Sequence, residues 1–271
     1  MGPILMAVIF IVFIFGLMFG SFANVCIYRM PREMSIVFPA SHCTKCNNPI
    51  LWYDNIPVLS FLLLKGKCRN CGDKISLRYP LVELACGFLF VLMFFVTGLT
   101  YMLPVFCFFA FCMLVITMID FDFQIIPDEF SVGLIIVGLA TSFINPFLDT
   151  SFLQSIYGCI VGGGSLIALA IIGKFMFKQD AMGGGDIKLM AGVGAFIGWQ
   201  RVLFAIFIAA FIGSIIGMAL ILAKKMKKRD MMPFGPCLAA GSLITLFLEQ
   251  PSYIVNKIIM YEENLFMKLF F

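Results

Sequence analysis

The sequence predicts an all-α, polytopic membrane protein of about eight transmembrane helices, and three observations carry that prediction. Of its 271 residues, 62% are apolar and only 13% charged, whereas a soluble domain carries about a quarter charged residues. Apolar runs recur along the whole chain, several of them as long as the about 20 residues a helix needs to cross a bilayer. The basic residues gather in alternate connecting segments. With a mean hydropathy of +1.04, the chain lacks the charge to coat a water-exposed surface, which excludes an ordinary soluble domain. The runs are continuously apolar and do not alternate, so helices, which satisfy their own backbone in lipid, are preferred to a barrel.

In order, the runs cover 4–27, 80–98, 102–119, 130–147, 154–176, 187–199, 202–223 and 232–248. The first is too long for a secretory signal core, and its nearest charges, Arg29 and Arg32, follow it. It is therefore expected to remain as a helix with its N-terminus outside. The sixth run is short and glycine-rich, the least regular of the eight. From an outside start, the odd-numbered connections face the cytoplasm. Segment 28–79 carries eight Lys or Arg, 174–188 three and 224–229 five, sixteen of the nineteen in the chain, leaving Arg201, Lys257 and Lys268 outside. Retention of Lys and Arg on the cytoplasmic side makes this bias a topology signal. Basic loops against an anionic leaflet also account for the net charge of +4, with no nucleic-acid partner required. The organisation expected is a first transmembrane helix (1–27), a cytoplasmic loop domain (28–79), a transmembrane core (80–250) and an outer-face amphipathic tail (251–271).

The loop domain holds two C-x-x-C pairs, Cys43 with Cys46 and Cys68 with Cys71, separated by 21 residues. Thiolates so spaced can converge on one tetrahedral ion, and a loop of this size, poor in core, would draw much of its folding free energy from the metal. Two disulfides or a redox pair are the competing reading. A reducing cytosol disfavours disulfides, and four filled ligand positions favour a structural zinc over a catalytic one. His42 adjoins Cys43 as a possible alternative ligand, though an ordinary loop histidine is the simpler reading. The remaining cysteines, Cys26, Cys86, Cys107, Cys112, Cys159 and Cys237, lie in or beside apolar runs, where they act as small apolar residues.

Two acidic clusters stand at span ends, where carboxylates near lipid are costly. One runs Ile119-Asp120-Phe121-Asp122 to Ile126-Pro127-Asp128; the other is Gly183-Gly184-Gly185-Asp186-Ile187-Lys188. The charge-derived topology puts both on the cytoplasmic side. Paired carboxylates in a poorly solvated cleft do not both ionise easily, so one keeps a proton while the other activates water. The glycines before Asp186, Gly183 and Gly185 among them, leave room for an extended substrate. The plainer alternative makes these acids loop residues or helix caps, a role that suits Asp128 best. An ion or proton relay in a transporter is a further alternative, although such sites are expected near the bilayer midplane.

Smaller signals have structural readings. Gly16 and Gly20 form a G-x-x-x-G that permits close helix packing, and Gly162 to Gly164 suggest tight contact in the fifth span. Lys188 either tunes an aspartate or meets lipid headgroups, and Trp52 and Tyr53 suit the membrane surface.

The chain resembles the bacterial prepilin peptidases, GxGD-type membrane aspartyl proteases. Gly20-Ser-Phe-Ala-Asn-Val-Cys-Ile-Tyr-Arg-Met-Pro31, Trp52-Tyr-Asp-Asn-Ile-Pro-Val-Leu-Ser60, Gly66-Lys-Cys-Arg69 and Arg78-Tyr-Pro-Leu-Val-Glu83 carry the likeness, in order. Ile119-Asp120 to Asp128, Gly183 to Lys188 and Pro233-Phe-Gly-Pro236 complete it. The resemblance implies that Asp120 and Asp186 are the catalytic pair and that the four cysteines are the zinc set of the longer, bifunctional members. It implies prepilin or pseudopilin substrates with a short basic leader, cleaved at the cytoplasmic face of the bacterial inner membrane. It also implies a second activity, N-methylation of the new terminus with S-adenosylmethionine. The residues of that step are not identified; Glu33, Asp54 and Glu83 are candidates to orient an amine, or else solvated acids paired with nearby basic residues.

Overall fold

A computed structural model describes residues 3–177, 182–224 and 232–248. The tail expected over 251–271 and most of the basic run 224–229 lie outside the described residues. Nine α-helices form within them: α1 Pro3–Arg29, α2 Leu59–Leu63, α3 Arg78–Thr97, α4 Leu103–Phe123, α5 Asp128–Thr141, α6 Phe152–Phe177, α7 Gly184–Ile197, α8 Trp199–Leu222 and α9 Gly235–Leu248. Among the described residues the only β pairing is two isolated bridges in the cysteine loop, His42 with Pro49 and Lys67 with Lys74.

Apart from the five-residue α2, which the apolar pattern does not announce, the helices fall on the eight apolar runs. Five are long and apolar enough to cross a membrane: α1, α3, α4, α6 and α8. The helices α5, α7 and α9 have 14 residues each, a rise of about 21 Å against a hydrocarbon core of about 30 Å. Against the expectation of about eight full spans, the described residues give five helices of spanning length and three shorter ones. The fourth run illustrates why. Its helix stops at Thr141, and two 3-10 turns, Ser142–Ile144 and Pro146–Leu148, replace its last part because Pro146 cannot donate within a continuing helix.

The chain divides into two units. Among the described residues, the first comprises 3–95 and 106–115, and the second 96–105 and those from 116 to 248. In the first unit, α1 and α3 approach backbone to backbone: a Cβ on Gly16 would lie 2.6 Å from the Gly87 Cα, and one on Gly20 would lie 2.5 Å from the Glu83 Cα. The G-x-x-x-G pattern therefore serves packing, as expected. Phe22 of α1 stacks on Phe111 of α4, with ring centroids 5.9 Å apart.

The second unit is built around α7, which touches α5, α6, α8 and α9. From Leu189 to Ile197 its residues are buried, Ala191 excepted. Its neighbours reach it over glycines: Gly158 of α6 lies against Gly194, Gly162 against the Met190 carbonyl, and Gly192 against Leu134 of α5. Gly163 also meets α7 at Ala191, whereas Gly164 faces open space. The C-terminal carbonyls of α7, which no helical amide can reach, are satisfied from outside. The Ser155 hydroxyl donates to Ala195 O and the Asn145 amide to Phe196 O, each at 2.8 Å. A short, glycine-rich helix, buried over most of its C-terminal part, is thus held at that end, and its first turn carries Asp186.

Candidate aspartate site and cysteine cluster

Asp120 lies in the last turn of α4, where the chain leaves the helix at Gln124 with φ 55°. Its side chain sits in a residue only 5% exposed, and its Oδ2 accepts the Gly235 amide at 2.8 Å. Gly235 opens α9, so this amide is one of the donors a helix cannot use internally, at the positive end of the helix dipole. The contact needs glycine: a Cβ at Gly235 would lie 2.8 Å from Asp120 Oδ2.

Asp186 occupies the third position of α7. Its Oδ2 reaches back to accept the amide of Gly183, the residue that caps the helix, at 3.2 Å. Gly185 brings this turn against the chain that follows α4, for a Cβ there would fall 2.8 Å from the Ile126 Cβ. The two turns are therefore in contact within the second unit, which puts Asp120 and Asp186 near enough for their charges to interact. Residues 66 positions apart in sequence are brought into one site, each carboxylate accepting an amide at the start of a helix.

Two expectations change here. The cap of α5 is Pro127, with no side-chain bond, and Asp128 is the first helical residue. Instead of capping, Asp128 receives Lys188, whose Nζ lies 2.8 Å from both carboxylate oxygens. Lys188 thereby clips the start of α7 to the start of α5. The pair is exposed (48% and 62% for the two side chains), so its contribution is under about 1 kcal/mol. The contact missed in the sequence is Gly235; its signal is the Pro233-Phe-Gly-Pro236 string, where two prolines bracket a residue that must keep both its amide and its missing side chain.

The four cysteines form a second site, in the first unit. The Sγ atoms of Cys43, Cys46, Cys68 and Cys71 all lie within 4.8 Å of one another, and Cys43 and Cys71 are 3.9 Å apart. The two pairs are built alike. The amides of Asn47 and Gly72, both at positive φ, donate back to the carbonyls of Cys43 and Cys68, each at 2.9 Å. The Cys43 and Cys68 amides in turn bond Asn48 O and Asp73 O. Backbone bonding from Cys46 and then Lys45 holds the Cys43 thiol down to about 6. Cys71 is pushed up to about 12, the backbone bond from Asp73 being outweighed by desolvation and the three neighbouring thiols. Four thiolates this close repel, and a cation among them removes the repulsion, so the cluster could hold a metal ion. His42 stands aside, its Nδ1 3.1 Å from the Ala40 carbonyl.

Of the remaining acids, Glu33 is an exposed residue at φ 55°. Asp54 is held by a two-point bond from Arg69 at 2.6 and 2.7 Å, whose guanidinium keeps the Asp54 carboxyl below the usual range. Glu83 is buried and accepts the Val58 amide at 2.7 Å. The other cysteines are buried, or half-buried for Cys159, as apolar residues.

An all-helical membrane fold, a carboxylate pair at helix starts and a thiol cluster in the first long loop together define a class of polytopic membrane protein with one acidic and one metal-type site. Two family models match the chain: the Bacterial Peptidase A24 N-terminal domain over residues 14–97 and the Type IV leader peptidase family over residues 107–218. The chain belongs to the type IV leader peptidase family. Among its relatives is the "Prepilin leader peptidase/N-methyltransferase" of Stutzerimonas stutzeri, 33% identical over 257 residues, 86% of this chain and 88% of that protein. The Klebsiella pneumoniae protein of the same name is 39% identical over 194 residues, 69% and 84% of the two chains. The one from Myxococcus xanthus is 38% identical over 211 residues, 78% of this chain and 62% of that protein. These relatives give the ion-relay alternative no support. No solved structure matches the chain.

Proposed function

We propose that this chain is a membrane aspartic endopeptidase that removes the short basic leader from type IV prepilins or pseudopilins, and that it N-methylates the new terminus. The observation that carries the peptidase reading is the meeting of Asp120 and Asp186 in one site of low exposure. Two adjacent carboxylates share a proton, because the second negative charge is costly beside the first. The ionised member takes a proton from water as its oxygen attacks the scissile carbonyl. The protonated member donates to the carbonyl oxygen, and the proton transfers reverse as the tetrahedral intermediate collapses and the amine departs. The Gly235 and Gly183 amides each hold one carboxylate oxygen, which orients the other toward substrate. Gly183 and Gly185 support the loop around Asp186.

A basic leader is retained on the cytoplasmic side by the rule that orients the enzyme itself. The charge bias of the loops therefore supports an inner-membrane protein of eight apolar helices, N-terminus outside, with the site at the cytoplasmic face. Structural zinc fits the cysteine cluster: tetrahedral Zn–S bonds of about 2.3 Å require sulfurs about 3.8 Å apart, close to the separation of Cys43 and Cys71. Cys43, Cys46, Cys68 and Cys71 would hold it, and its chemistry there is to fix the two pairs together. The methylation reading rests on the relatives' names and takes S-adenosylmethionine as methyl donor.

The test is cleavage of a purified prepilin in detergent by the wild type, Asp120→Asn and Asp186→Asn. Each substitution is expected to lower the rate by a factor of about 10² to 10⁴, the usual contribution of positioned acid–base groups. Full cleavage by either variant removes that residue from the pair.

A further inference from the structure

Between the cysteine loop and the ends of α1 and α3, entirely within the first unit, lies a cavity of about 400 Å³. That is a size typical of small-molecule sites. Its walls are polar where helices meet loop: Asn24 and Glu83 from the helices, Ser41, Asp54 and Asp73 from the loop. Asp54 is matched by Arg69 and Asp73 by Lys45 at 3.3 Å. Arg29, also on the wall and buried, spends its guanidinium on the Ser35 and Pro39 carbonyls. Glu83 differs. It is 8% exposed, and the groups bonded to it are neutral, the Val58 amide at 2.7 Å and the Ser21 hydroxyl. A carboxylate out of water without a bonded cation is costly, so Glu83, although Arg29, Arg69 and Lys74 also line the cavity, is left unmatched in a way the other two acids are not.

We propose that this cavity is the methyl-donor site, with Glu83 facing the positive sulfonium of S-adenosylmethionine. The inference rests on the methyltransferase reading above and adds the place and the charge partner. A sulfonium is the cation such a wall accepts, and a ligand carrying it completes the pairing that the protein's own side chains leave open. In the transfer, the substrate's terminal nitrogen attacks the methyl carbon. The N–C bond forms as the C–S bond breaks, its electron pair goes to sulfur, and the donor becomes a neutral thioether. The methylated ammonium then loses a proton to water. An α-amine titrates at about 7.7–8.0, so part of it is free to attack at neutral pH without a strong base. Glu83 is a positioning residue for the donor, and Ser21 and the Val58 amide hold it in place. The cavity walls include Cys43 and Cys68, so the cysteine pairs shape the same pocket, which gives a metal-fixed loop a direct part in binding the donor.

The test is calorimetric binding of S-adenosylmethionine and of S-adenosylhomocysteine, its neutral thioether, to the full-length protein in detergent. The wild type should prefer the sulfonium. Glu83→Gln, which keeps the shape and removes the charge, should weaken S-adenosylmethionine at least tenfold and S-adenosylhomocysteine much less. Equal loss for both ligands, or no loss for either, overturns the assignment of Glu83. A second measurement needs no variant: ultraviolet cross-linking of methyl-labelled S-adenosylmethionine to the wild type, followed by peptide mapping. Label on residues 20–30 or 41–83 supports the site, and label confined to α5–α9 overturns it. If the wild type cleaves prepilin but binds neither ligand, the methyltransferase reading itself fails, an outcome distinct from failure of the site alone.

Discussion

Asp120 and Gly235 show how much one missing side chain decides. The carboxylate accepts the Gly235 amide at 2.8 Å, and a Cβ at Gly235 would crowd it, lying 2.8 Å from Oδ2. Gly235→Ala is therefore expected to displace Asp120 and to lower prepilin cleavage about tenfold or more, with helix content by circular dichroism retained. Wild-type cleavage by Gly235→Ala would show that Asp120 does not need this contact. The shared proton leads to a further expectation. Because one carboxyl must be protonated and the other ionised, cleavage should rise and then fall with pH, the two limbs belonging to the pair jointly. A rate that climbs to a plateau across neutral pH would argue against a two-carboxylate mechanism.

At the scale of elements, the contrast lies between glycines that touch a neighbour and those that do not. Gly158 meets Gly194 backbone to backbone, while Gly164, less than two turns along the same helix, faces open space. Gly158→Ala should separate α6 from α7 and destabilise the protein by about 1–3 kcal/mol. Gly164→Ala should be neutral or stabilise by up to about 1 kcal/mol, both read from thermal unfolding in detergent. Equal effects would mean that the α6–α7 contact is not the tight one. The cysteine loop responds to its ligands in the same way. Cys43→Ser should lower bound zinc and melting temperature together, whereas Lys45→Ala, which breaks an exposed ion pair with side chains 69% and 42% exposed, should change stability by under about 1 kcal/mol. Unchanged metal content in Cys43→Ser would remove Cys43 from the ligand set.

Across the whole molecule, the charge bias makes a statement about sidedness. A reporter active only outside the cytoplasm should be active when fused after Thr150, and inactive when fused after Gly66 or Lys224. The reverse pattern would put the Asp120–Asp186 site on the outer face, away from a basic leader retained inside. Helix positions themselves were legible: hydropathy marks where α1, α3, α4, α6 and α8 run, since lipid demands long apolar segments. The places where it misjudged extent, the early stop of α5 and the start of α7 three residues before the apolar run, are turns set by Pro146 and by the glycines at 183–185. The C-x-x-C spacing likewise announced the thiol cluster, because local turn geometry alone brings each pair together.

By itself the sequence determined the membrane class, the positions of the apolar runs, the candidate acids and the four thiols, each of which follows from local composition or short spacing. Only the tertiary structure decided that Asp120 and Asp186 share a neighbourhood, that Gly235 supplies an amide, that Lys188 belongs to Asp128 and that Glu83, on a cavity wall, is bonded to neutral groups. The physical reason is range. Hydropathy and turn signals act over a few residues, while these contacts join positions 60 to 115 apart or enclose a space between segments, and depend on which helices pack over which glycines.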